Sequence, residues 1–121
     1  MMFSMVLKKF MERLTKPVED IDREQLGQFC DARMLEPMDS LEGRRAVRVG
    51  GEVRAVRIVP RAGAPALEVT VSDGRGSVVG VFLGRRKVAG LSPGRKVALS
   101  GMAAKHGNRY QLVNPVYELL S

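Results

Sequence analysis

The chain has 121 residues, a net charge of +7, one cysteine and no tryptophan. That length holds one compact domain with an appendage; the single Cys30 excludes an intramolecular disulfide, and with one histidine, His106, it makes no metal site. No apolar run approaches the ~18 residues of a spanning helix, and Lys8 and Lys9 interrupt any signal-peptide core, so a cytoplasmic protein is expected.

At the N-terminus, Phe3, Val6, Leu7, Phe10, Met11 and Leu14 recur at helical spacing and predict an amphipathic helix over residues 2–15, ended by Pro17. Asp22 is expected as the N-cap of a second helix over 23–35, with Gln25 closing a capping box and Ile21 and Leu26 forming a staple. Its apolar side is Leu26, Phe29, Cys30 and Met34, and Cys30 is expected as a small buried hydrophobe. Residues 1–40 thus read as a helical hairpin with its linker, and 36–45 as connecting chain. Neither stripe is buried alone. Each needs the β domain, the other helix or another chain, so a protein partner or a homodimer through residues 3–35 is one expected role. The first helix also suits a membrane surface, although Glu12 and the acidic second helix weigh against it.

Residues 44–121 read as a β domain. The first strand, 46–59, is interrupted by Gly50-Gly51, which predicts a bulge or bend. A loop over 60–65 leads to strand 66–72, where Leu67, Val69 and Val71 alternate with Glu68 and Thr70. Asp73-Gly74-Arg75-Gly76 predicts a hairpin turn into strand 77–83, which is apolar on both sides. A helical turn or loop over 84–91 precedes strands 95–105 and 109–114, and 116–120 is expected as an edge strand after Pro115. Short strands at this spacing, with a helical turn after the third, predict a mainly β fold: a five-stranded OB barrel carrying an N-terminal α-helical hairpin.

Charge divides unevenly. Residues 1–43 hold six Lys/Arg and nine Asp/Glu, a balance of −3; residues 44–121 hold fourteen and four, a balance of +10. Such an excess points to a polyanion. The loop after the first strand supplies Arg61, and the turn after the fourth supplies Lys105, His106, Asn108 and Arg109. Arg75 and the Arg85, Arg86, Lys87 cluster extend the track. Cations there neutralise phosphates and release counterions. Phe82 either stacks on a base or packs inside the barrel wall, and packing is favoured. No Ser/His/Asp arrangement, paired carboxylates or metal-ligand spacing stands out, so a non-enzymatic protein without cofactor or metal is expected.

The run from Asp73-Gly74-Arg75-Gly76 to Tyr117-Glu118-Leu119 resembles the OB domains of the tRNA-anticodon-binding superfamily. Within that superfamily it is similar to the wedge domain of RecG-type DNA helicases. The matching residues are Asp73, Gly74 and Gly76; Phe82; Pro93 and Gly94; Val97 and Gly101; and Asn114, Pro115 and Tyr117. Asn114, Val116 and Leu83 depart from the wedge pattern, and no Gly-Lys dipeptide exists to start a Walker A loop. The resemblance implies a stand-alone OB protein, without a motor. It would bind single-stranded or junction DNA with little sequence preference, DNA being favoured over RNA. The alternative is an adaptor that docks a partner or dimerises through its N-terminal helices.

Overall fold

The computed structural model describes residues 18–121. The organising element is β1 (Arg45–Arg61), which serves two neighbours in succession. Its first half pairs antiparallel with β4 (Lys96–His106), from Arg45↔Ala103 to Glu52↔Lys96. Its second half pairs with β2 (Ala64–Ser72), from Glu52↔Ser72 to Arg61↔Ala64. Gly50 and Gly51 sit at the handover. A Cβ on Gly51 would collide with the Ser72 carbonyl and one on Gly50 with the Val97 carbonyl, so only glycine lets the strand pass between its two partners.

From β2 the sheet continues antiparallel to β3 (Ser77–Leu83), then parallel to β5 (Arg109–Val113), then antiparallel back to β4. Because β4 also pairs with β1, the six-stranded sheet forms a ring-like circuit. The expected edge strand is present as β6 (Val116–Leu120), paired with β4.

Inside the ring lie Val47, Val49, Val53, Leu67, Val69, Val71, Val78, Phe82, Val97, Leu99 and Leu112. Each such side chain contributes ~1.5–3 kcal/mol of transfer free energy, offset by the entropy of ordering the chain. β3 is apolar on both sides for a simple reason. Val78 and Phe82 face inward, while Val79 and Val81 form a small outer cluster with Ala66 and Val59.

Register slips by one residue between Val53 and Ala55. The extra residue, Arg54, is a β-bulge, and it reverses which side of β1 faces in. Before it, odd-numbered Val47, Val49 and Val53 are buried. After it, Arg57 and Arg61 stand opposite Glu68 and Ala64 on the outer face.

Several expectations are corrected. The expected loop over 60–65 is mostly hairpin: Pro60↔Pro65 and Arg61↔Ala64 are paired, and only Ala62 and Gly63 turn, both at positive φ (51° and 78°). Of the two alternatives expected over 84–91, helical turn or loop, the loop is present; Val88 and Leu91 anchor it in the core, with the Leu91 amide donating to the Val88 carbonyl at 3.2 Å.

One α-helix, α1 (Val18–Ala32), occurs among the described residues. The first helix expected over 2–15, and with it the hairpin, lies outside them. Asp22 falls within α1 rather than at its N-cap, because helical residues precede it. The helix stops three residues short of the expected end, with Met34 in the left-handed region (φ 59°) and the Leu35 amide donating back to the Cys30 carbonyl at 3.2 Å. This turn drops Leu35 beside Leu26 and Cys30 against Ala98 of β4. Leu26 and Cys30 of the expected stripe are thus buried on the ring and Phe29 is half-buried there, while Met34, expected on the same apolar side, is 89% exposed because the left-handed turn carries it outward and Leu35 takes its place. Burial pushes the Cys30 thiol up to about 11, and its Sγ lies 3.4 Å from the Gly50 carbonyl.

Residues 36–45, expected as a linker, contain a 3-10 turn (Met38–Ser40) and give Met38 and Leu41 to the core. Asp73, which is fully buried, fixes this turn. Its carboxylate accepts from the Arg75 and Gly76 amides at 2.9 Å each and from the Met38 amide at 2.8 Å. Met38 also packs where a Gly76 side chain would stand, 3.2 Å from an added Cβ. These contacts account for the Asp-Gly-x-Gly spacing.

Candidate nucleic-acid interface

Residues opposed across a ladder share a face. On the outer face of β1, β2, β3 and β5, Arg57, Glu68, Val81 and Val113 make one row. Thr70, Val79, Gln111 and, from β4, Ala104 make the next. Two depressions lie side by side here. Arg57, Glu68, Val79, His106, Arg109 and Gln111 line the first. Arg61, Ala62, Ala64, Leu83, Gly84 and Val113 line the second.

Cations bracket the face. At one end stands Arg61, beside the start of the Gly84–Lys87 segment, whose Gly84 amide donates to the Pro65 carbonyl at 2.8 Å. At the other end the β4–β5 turn carries Lys105, His106, Asn108 and Arg109, with His106 opposite Arg109. Arg85, Arg86, Lys87, Lys105 and Arg109 are exposed and Arg61 is half-buried. None of these six has a carboxylate within salt-bridge distance among the described residues.

The carboxylates are engaged elsewhere. Glu36 pairs with Arg45 at 3.0 Å, Glu118 with Arg48 at 3.1 Å, and Glu52 with Arg54 at 3.0 Å. Asp73 is held by backbone amides. Among the described carboxylates Glu68 is the one on the cationic face, bound through Oε1 to Arg57 Nε at 3.1 Å and Nη2 at 3.0 Å. The face is thus positive because its counter-charges pair with arginines outside it.

Of the ten expected site residues, Arg61, His106 and Arg109 line the two depressions, Asn108 lies in the turn between His106 and Arg109, and Arg85, Arg86 and Lys87 follow Gly84 at the other end. Lys105 stands opposite Tyr110 and so on the other side of β4 from His106. Two more lie away from the face. Arg75 makes a bidentate pair with Asp31 of α1, at 2.8 and 2.7 Å. Those hydrogen bonds hold the Asp31 carboxyl below the usual range and raise the guanidinium, so Arg75 ties the β2–β3 turn to the helix instead of joining a phosphate track. Phe82 is 5% exposed and meets Tyr117 edge-on, with ring centroids 6.0 Å apart, so its ring is closed to a stacked base. Arg57, Gln111, Leu83 and Val113 were not expected at the site. The bulge hides the phase of Arg57, and the outward parity of Leu83 depends on the side chosen by Phe82.

Among the described residues no group of three or more His, Cys, Asp or Glu could hold a metal ion, and no helix is long and apolar enough to cross a membrane.

The family model for the tRNA anti-codon type of OB-fold nucleic acid binding domain matches residues 47–120. The chain belongs to this family. Curated proteins gave no match. In OB domains the ligand crosses the second and third strands between the β1–β2 and β4–β5 connections. In this OB domain those connections are the Ala62-Gly63 and Gly107-Asn108 turns, and the cations described above flank the same face. Family and geometry agree on nucleic-acid binding.

Proposed function

We propose that this OB domain binds DNA, single-stranded or at a junction and with little sequence preference, through the cationic outer face, and that it performs no catalysis. The carrying observation is the set of cations at positions 61, 85–87 and 109, which have no carboxylate partner among the described residues while other arginines are neutralised. Phosphates are the complementary ligand. The likeness to the helicase wedge supports DNA over RNA. Weak sequence preference is supported by the likeness to the wedge domain and by the cations being placed for phosphates, whose contacts carry no sequence information.

Titration of single-stranded DNA, duplex DNA and RNA at two salt concentrations tests this. For about five phosphates the slope of log K against log salt should be near −3.5. Raising salt fourfold then weakens single-strand binding roughly a hundredfold. Binding that ignores salt, or prefers duplex, would contradict the proposal. The adaptor alternative loses part of its motivation, because Leu26 and Cys30 of α1 are buried against Ala98 of β4.

A further inference from the structure

Among the described residues the binding face has no exposed aromatic platform: Phe82 is inside, while Tyr110 and Tyr117 are half-buried against the core. The same face instead carries the depression of about 590 Å³ lined by Arg61, Ala62, Ala64, Leu83, Gly84 and Val113. Its volume falls in the ~300–1,000 Å³ range of small-molecule sites. Leu83 and Val113, each 45% exposed, present aliphatic surface to solvent there. Two backbone donors on its β3 side are already engaged: the Leu83 amide donates to Asn114 Oδ1 at 2.9 Å, and the Gly84 amide to the Pro65 carbonyl at 2.8 Å.

We propose that this depression receives one unstacked nucleobase against Leu83 and Val113, while the adjoining phosphates meet Arg61, Arg85, Arg86 and Lys87. The proposal rests on the nucleic-acid reading above and adds a base subsite to it. Charge selects the occupant: an apolar hollow beside four cations that have no carboxylate partner among the described residues suits a group that is flat and apolar on its faces yet tethered to anions. A base inside a duplex stack cannot enter, so the subsite requires a single strand or a splayed end. With those two amides engaged, base identity matters little.

The test uses the full chain at low salt with two ligands of equal phosphate number, an oligothymidylate and an abasic oligomer. The oligothymidylate should bind roughly tenfold more tightly, the scale of burying one aliphatic-sized patch. In Leu83→Gln/Val113→Gln that preference should shrink toward unity while affinity for the abasic oligomer is retained. Equal affinities in the unaltered chain would overturn the base subsite and leave the cationic face standing. A preference that survives in the double variant would overturn its placement. Failure of both oligomers to bind would overturn this proposal together with the reading beneath it. The two-ligand comparison needs no variant, so it stands even if the double variant does not fold.

Discussion

Asp73 is a buried carboxylate whose oxygens hold three backbone amides, two in its own turn and one at Met38. Replacing it by alanine orphans three donors at ~1–3 kcal/mol each. Asp73→Ala should therefore lose about 3 kcal/mol or more in urea unfolding; a loss below about 1 kcal/mol would show that these bonds matter little. Glu68 acts in the opposite sense. It places a negative charge within the cationic face, beside Arg57. Glu68→Gln should tighten single-strand binding roughly two- to fivefold at low salt, and titration showing unchanged or weaker binding would remove this face from consideration. Neither role was visible in the sequence. Asp73 was legible as a turn residue, but its bond to Met38 spans 35 positions. Phe82 was left open between core and surface because β3 is apolar on both sides, and only the outer Val79–Val81 cluster explains why.

At the scale of elements, α1 is fastened to the β2–β3 turn by Asp31 and Arg75. Asp31 has a lowered folded-state pKa, owing first to its hydrogen bonds with Arg75. Its stabilising contribution is thus complete above the unfolded value and disappears as pH falls through the folded value. The gap in melting temperature between the unaltered chain and Asp31→Asn should hold steady near neutrality and close only at the acid end of the carboxylate range. A gap that closes near neutrality would contradict the assignment. The pair is exposed, so the effect is small and weakens with salt. Strand existence was legible from period-two alternation and Gly/Pro turns, and β3 and β6 begin and end where expected. The helix boundaries were not, since Met34 turns left-handed to seat Leu35 against Ala98, a tertiary demand. The reversal of β1 at Arg54 was equally hidden, because the phase of a bulge exists only relative to its partner strand.

For the molecule as a whole, the +10 balance of residues 44–121 could be counted from the sequence, but which cations keep their charge unopposed could not. That depends on Glu36, Glu52, Glu118 and Asp31 meeting Arg45, Arg54, Arg48 and Arg75 in the folded chain. Under the proposed binding reading, the location of charge matters more than its amount. Two triple variants of equal net charge separate these causes: Arg85→Ala/Arg86→Ala/Lys87→Ala beside the face, and Arg45→Ala/Arg48→Ala/Arg54→Ala among the paired arginines. In salt-dependent titration with single-stranded DNA, the first should reduce the steepness of the slope by about two, at ~0.7 per lost phosphate contact, and the second should leave it near that of the unaltered chain. Equal losses from both variants would contradict a localised binding face and leave only a diffuse effect of net charge.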